Sequence, residues 1–278
     1  MTTLQSLTLN KAKSHLANRT MSLNELKQSI NKFVDKMKQD DWGLFCDIDG
    51  TISDIAPTPD AVKVRPSIRK ALEAIRPHLA VTAIVTGRQI SEAMEMVRLE
   101  GVTYFGTYGL EKWDKGLLTV SKEASRYTER LRTASSAIAK NLSASEVIIQ
   151  EKPLGLSLHY RQAKKPIDIR NQILAAIEST GASEWMKIFE GRMVVELSLP
   201  IEIDKVTCVN WLANEQNLTG LIVIGDDLSD ISMFEAANHF QTTLGTHAFN
   251  IGVIEKETPN EVIDKVNWPI PVEVKFHP

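Results

Sequence analysis

The chain has 278 residues, 43% of them hydrophobic, and a formal net charge of −3. That is enough apolar material for one large or two small folded units. The mild negative charge argues against nucleic acid or an anionic membrane as a partner, no apolar run approaches a membrane-spanning length, and Cys46 and Cys208 have no disulfide-like spacing.

The N-terminus lacks the apolar core of a secretion signal, which predicts a cytoplasmic location. Lys11, Lys13 and Arg19 precede the first acid, Glu25, loosely as in a transit peptide; a polar N-terminal arm is the simpler reading. From Ser22 to Gln39, Leu26, Ile30, Phe33, Val34 and Met37 recur at helical spacing behind a Ser22/Glu25 capping pair. This predicts an amphipathic helix within an extension of residues 1–40. "GLFCDID" then reads as a buried strand, "RPSIRKALEAI" as a helix with Pro66 near its start, and "AVTAIVTGR" as a second buried strand. "ISEAMEMVRLEG" reads as a helix closed by Gly101, and "TYFGTYG" as a third strand. Strands that are apolar throughout and alternate with helices predict a parallel sheet covered on both faces.

The pattern then changes. "GLLTV", "EVIIQEK", "GLSLHYR" and "GRMVVELSL" alternate in polarity as half-exposed strands do, with helical stretches around 122–142 and 166–180. After them "TCVNWLANEQ" is helical, "LIVIGDD" is a buried strand and "ISMFEAANHF" is a helix. The expected architecture is a doubly wound, Rossmann-type α/β core of residues 41–111 and 199–278, with an α+β unit inserted over 112–198.

Four polar clusters fall where ligands bind in open α/β sheets, beyond the carboxyl ends of the strands. They are Asp47/Asp49, Thr86-Gly87-Arg88, Lys205, and Asp226/Asp227/Asp230 in "GDDLSD". Asp47 and Asp49 sit one residue apart, so they project to the same side of a strand end. Two ionised carboxylates that close need a cation or strong donors between them. Several acids, a hydroxyl and a lysine at one mouth suit a hard divalent cation and a phosphate.

"DIDGT", "VTGR", a lysine and "GDDLSD", in that order, resemble the haloacid-dehalogenase-like phosphatases. "DIDGTISDIAPTPDAVKV", "YGLEKW", "HYRQA", "GRMVVEL" and "GDDLSDISMF" resemble, more closely, the trehalose-6-phosphate phosphatase family over roughly residues 43–235. The resemblance implies a Mg²⁺-dependent phosphatase that hydrolyses a small sugar phosphate, trehalose 6-phosphate, to trehalose and phosphate through an aspartyl phosphate, with 112–198 as a cap that closes over the sugar. It implies Asp47 as nucleophile, Asp49 as general acid and base, and Lys205 as the group neutralising the phosphoryl charge. Mg²⁺ would sit on the Asp47 carboxylate, the Asp49 main-chain carbonyl and the Asp226 carboxylate, with Asp230 orienting its waters. Thr86 and Gly87, beside Arg88, would hold phosphoryl oxygens. Lys152, His159, Arg161 and Glu196 would bind the sugar.

The chain departs from the family pattern at Tyr108, where His is frequent, at Gln150 and Pro153 in "QEKP", and around the lysine in "IDKV". These changes leave the carboxylates intact and bear mainly on the sugar. A phosphatase of sucrose phosphate or a glycosyl-glycerol phosphate is therefore the alternative, and a catalytically inactive regulatory homologue a further one. Taken singly, Glu196 equally fits a structural pair with Arg192 or Arg161, and Asp227 fits a helix cap.

Overall fold

The computed structural model describes residues 41–255 and 258–271; the helix expected over 22–39 lies outside the described residues. An eight-stranded sheet is built on β1 (Trp42–Cys46) at its centre. The chain runs from β1 through α1 (Pro66–Ile75), β2 (Val81–Val85), α2 (Ile90–Val97) and β3 (Thr103–Gly106) toward one edge. It returns much later as α5 (Lys205–Glu215), β10 (Gly220–Gly225), α6 (Leu228–Leu244), β11 (His247–Ile254), α7 (Asn260–Lys265) and β12 (Trp268–Pro271), filling the other side. With β4 (Glu111–Asp114) and β5 (Leu117–Val120) at one edge, strand order is β12-β11-β10-β1-β2-β3-β4-β5, and the first six of these are parallel.

The apolar strands are explained by cover on both faces. Along β1, Leu44 and Cys46 pack with Leu72, Ile90, Ala93 and Val97 of α1 and α2. Phe45 points to the other face, against Val209, Leu212, Phe234 and Ala237 of α5 and α6. Both cysteines are buried and free. No helix among the described residues is long and apolar enough to cross a membrane.

A second sheet, of four antiparallel strands in the order β6-β7-β9-β8, lies between the two halves of the first in sequence. Its strands are β6 (Ile148–Lys152), β7 (Gly155–His159), β8 (Lys187–Gly191) and β9 (Val194–Ser198). Helices α3 (Thr128–Asn141) and α4 (Pro166–Ser179) cover one face through Leu131, Ile138, Ile173 and Ile177.

Three details differ from the sequence expectation. The inserted unit does not begin at 112: β4 (Glu111–Asp114) and β5 (Leu117–Val120) extend the large sheet, antiparallel to β3 and to each other. Their half-exposed alternation is that of a sheet edge, which the sequence alone does not distinguish from a separate sheet. The stretch "GRMVVELSL" is not one strand, because Arg192 and Met193 turn the chain between β8 and β9, Met193 with a left-handed φ of 59°. Finally, β11 and β12 lie beyond the last element expected from sequence. Pro269 and Pro271 in β12 hide a strand that is tolerated at the sheet edge, where a missing N–H costs no ladder bond.

Candidate active site

The strand order reverses between β1 and β10, the two central neighbours, and such a switch point opens a crevice at the strands' carboxyl ends. Asp47 follows β1 and Asp226 follows β10, and the Asp47 N–H donates to the Ile224 carbonyl at 3.1 Å. The two carboxylates thus face one crevice from adjacent strands. Beyond Asp47 the chain folds back sharply, with the Gly50, Ile52 and Ser53 amides bonded locally. Gly50 has a φ of 81°, and a Cβ there would stand 2.3 Å from Asp226 Oδ2, so only glycine lets the loop pass.

Lys205 and Asp230 arrive on helix N-termini. Asp204 caps α5 by accepting from the Thr207 N–H at 2.9 Å, which sets Lys205 at the first helical position. Asp227 caps α6, accepting from the Leu228 N–H at 2.8 Å, and Asp230 Oδ2 accepts from the Asp226 and Asp227 amides at 2.9 and 3.1 Å. The Lys205 ammonium then bridges Asp47 Oδ1 at 3.0 Å and Asp230 Oδ1 at 2.7 Å, with all three side chains buried. Burial works against the lysine charge, but Asp230 and Asp47 outweigh it and hold the group above the ordinary lysine range. Burial pushes the Asp47 carboxyl up to about 7, with Lys205 opposing and Asp230 and Asp49 adding.

Asp47, Asp226 and Asp230 each offer an oxygen within 4.8 Å of the others. Asp226 Oδ1 accepts from the Thr51 hydroxyl. Asp226 Oδ2 is buried without a well-formed hydrogen bond, although Arg192 Nη2 approaches to 2.9 Å. A buried carboxylate oxygen with an unfilled lone pair beside two other carboxylates fits a divalent cation held by oxygen ligands. Asp49 stands apart from this group: Arg88 grips it with two parallel bonds, 2.7 Å from Nε and 2.8 Å from Nη2. Arg88, expected at the phosphate, is thus engaged with Asp49, with the Pro59 carbonyl at 3.1 Å, and with Glu92 at 3.7 Å.

Thr86 and Gly87 follow β2 as expected, the Thr86 side chain buried and accepting from the Arg88 N–H at 3.2 Å. From the four-stranded sheet, Lys152 donates to the Gly87 carbonyl at 3.0 Å and to both Glu196 oxygens at 3.3 Å. Glu196 pairs with neither Arg192 nor Arg161. It accepts from Lys152 and from the Ser157 hydroxyl at 2.9 Å. Sequence reasoning missed this because the Lys152–Glu196 partnership spans β6 and β9, neighbours of β7 on opposite sides. His159 lies 3.3 Å from Gln150, whose amide donates to Glu92 of α2 at 2.9 Å; burial lowers the His159 ring to about 4. Arg161 donates to the Arg192 carbonyl at 2.9 Å.

Two residues that the sequence did not single out as site residues complete the site. Tyr108, held at a left-handed φ of 57°, stacks on Phe189 of β8 with centroids 5.0 Å apart, and burial raises its hydroxyl well above the usual range. Its ring passes so close to Gly87 that a Cβ there would stand 2.7 Å away. Arg192 is the second. Asp47, Lys205 and Asp226 from the large sheet and Lys152, His159 and Glu196 from the small one line one cavity of about 540 Å³, with Asp230 buried behind it. That size is ordinary for a small-molecule site.

The profile of the trehalose-phosphatase family matches residues 45–266. The chain belongs to that family. A probable trehalose-phosphate phosphatase of Sinorhizobium fredii is 33% identical over 218 residues, covering 77% of this chain and 78% of the relative. The trehalose-phosphate phosphatase of Mycobacterium leprae is 28% identical over 207 residues, covering 70% of this chain and 48% of its own, so the chain spans about half the length of that relative. In fold, the C-terminal domain of a C. albicans trehalose-6-phosphate phosphatase superposes with a TM-score of 0.70 at 17% identity, over 84% of this chain and 93% of that one. A haloacid dehalogenase-like hydrolase from Bacteroides thetaiotaomicron superposes with a TM-score of 0.55 at 13% identity, over 84% and 94%. The core of this chain therefore has a haloacid-dehalogenase-like α/β fold.

Proposed function

We propose that this family member is a Mg²⁺-dependent phosphatase that releases trehalose from trehalose 6-phosphate through an aspartyl phosphate. The observation that carries it is the pairing of two half-sites across one cavity. Asp47, Asp226, Asp230 and Lys205 gather at the switch point, and the Lys152–Glu196 pair faces them from the second sheet.

The chemistry follows from the placements. An Asp47 carboxylate oxygen attacks phosphorus as the bond to the sugar oxygen breaks. Asp49, protonated and released from Arg88, gives that oxygen its proton. It then takes a proton from the water that attacks phosphorus and frees Asp47. Lys205 neutralises charge on Asp47 and the phosphoryl oxygens, while the Thr86 hydroxyl and the Gly87 amide donate to those oxygens. The ion would be held by the Asp47 and Asp226 carboxylates and the Asp49 carbonyl, with Asp230 fixing the geometry around it, and it would supply stabilisation of negative charge at the phosphoryl group.

The unit of α3, α4 and β6–β9 serves in this reading as the cap, gripping the sugar with Lys152, His159, Arg161 and Glu196 and excluding water in the first step. Charged and amide groups suit a polyhydroxy ligand because they form directional bonds with hydroxyls. The test is phosphate release from trehalose 6-phosphate, sucrose phosphate and a glycosyl-glycerol phosphate, each with Mg²⁺ and with a chelator. Trehalose 6-phosphate should be hydrolysed fastest, and only with Mg²⁺. Faster release from another sugar phosphate would move the substrate, and metal-independent release would overturn the mechanism.

A further inference from the structure

Arg192 has no part in the chemistry above, yet it reaches from the four-stranded sheet to the acids of the core. It stands at the tip of the two-residue turn between β8 and β9, where Gly191 pairs with Val194. Its Nη2 lies 2.9 Å from Asp226 Oδ2 and donates to the Asp226 carbonyl at 2.8 Å and to Thr258 Oγ1 at 2.7 Å. Nη1 stands 3.5 Å from a Glu255 carboxylate oxygen. The side chain is 8% exposed, and its Nε is buried without a hydrogen-bond acceptor. All of these partners belong to the loops at the mouth of β10 and β11. The arginine therefore ties the β8–β9 tip to the carboxylate that the cation would need.

The local charges give this tie a direction. Asp226, Asp227, Asp230, Asp47 and Glu255 stand around Arg192 and Lys205, so the guanidinium sits in an acid-rich group. A divalent cation on Asp226 adds two positive charges beside it, and a guanidinium and a dication on one carboxylate repel each other. A phosphate monoester dianion cancels those two charges. The arrangement thus disfavours Arg192 when only the cation is bound and favours it when the cation and a phosphorylated ligand are bound together.

We propose that Arg192 is a positioning residue that competes with the divalent cation for Asp226, so that metal binding loosens the β8–β9 tip from the core and the incoming phosphoryl group draws it back. This rests on the metal-dependent reading of the site. It makes the opening and closing of the cavity a response to charge at the reacting centre, in addition to contacts with the sugar.

The test needs no turnover. The chelator-stripped full chain is titrated with Mg²⁺ by calorimetry, and amide hydrogen exchange across residues 188–196 is followed with and without Mg²⁺. In the unmodified chain, Mg²⁺ should speed exchange at the tip. Arg192→Gln should bind Mg²⁺ about tenfold more tightly, since one repelling charge is gone, and its tip should exchange fast whether or not Mg²⁺ is present. Thr258→Val removes an acceptor shared by the guanidinium and the Glu255 N–H while keeping every carboxylate, and should tighten Mg²⁺ binding about two- to threefold; it decides the matter alone if Arg192→Gln does not fold by circular dichroism. Unchanged or weaker Mg²⁺ binding in the folded variants, or slower exchange at the tip of the unmodified chain on adding Mg²⁺, overturns the coupling. No Mg²⁺ binding by the unmodified chain overturns instead the metal-dependent reading beneath it.

Discussion

Replacing Lys205 by Met tests whether one ammonium holds the acidic centre together. The lysine is 3% exposed and bonds two buried carboxylates, Asp47 at 3.0 Å and Asp230 at 2.7 Å. Methionine keeps the length and apolar stem but leaves both acids without their cation. Breaking a buried ion pair from one side costs about 3–5 kcal/mol. For a chain of this size each kcal/mol moves the melting temperature by about 2–4 °C, so a fall of roughly 10 °C is expected in chelator. Mg²⁺ should restore part of that loss, because it neutralises the same acids. Turnover should fall at least about a hundredfold, since charge on the transferring phosphoryl group loses a fixed partner. The assay is thermal unfolding by circular dichroism at pH 7.5, with chelator and then with Mg²⁺, beside phosphate release. A melting temperature within about 2 °C of the unmodified chain would refute the claim that Lys205 organises these carboxylates.

The two candidate roles for aspartates separate by metal affinity: Asp226→Asn should weaken Mg²⁺ binding, while Asp49→Asn should keep it and lose turnover, both read by calorimetry and phosphate release. Lys152→Ala or Glu196→Ala should lower activity on trehalose 6-phosphate at least about tenfold more than on para-nitrophenyl phosphate, about 1.4 kcal/mol of selective loss; equal losses would make the pair merely structural. His159 gives a pH test. Its ring is lowered to about 4 from an ordinary 6.5, so between those values the unfolded chain binds a proton that the folded one refuses. Stability falls as pH drops through that window, by at most about 3 kcal/mol. Denaturation of His159→Gln at pH 7 and pH 4.5 should show a smaller loss than the unmodified chain, and parallel losses would contradict the assignment.

The core was legible because its signals are local and redundant. Strands apolar throughout mark a sheet covered on both faces, and Asp47, Thr86 and Asp226 stand just past strand ends. Lys205 is not at a strand end but opens a helix. The Asp204 cap explains how it nonetheless reaches Asp47. What stayed hidden was non-local. Nothing near Glu196 announces Lys152 as its partner, because the contact depends on strand order in the second sheet. Arg192 reads as a strand residue until Met193 takes a left-handed φ and turns the chain. Tyr108 reads as a departure at one loop; its stacking on Phe189, across the cavity, shows what the larger ring does there. The misplaced boundary at 112 has the same origin, since an edge hairpin of the large sheet alternates like a strand of the small one.

The most direct test of the central claim compares Asp47→Asn with the unmodified chain on trehalose 6-phosphate in Mg²⁺. Asparagine keeps the shape of the side chain and loses the attacking charge. With circular dichroism unchanged, phosphate release should fall at least about a thousandfold, as expected when a covalent step is lost. Release by a folded Asp47→Asn chain within about tenfold of the unmodified rate, a difference of only about 1.4 kcal/mol in the barrier, would contradict Asp47 as the nucleophile.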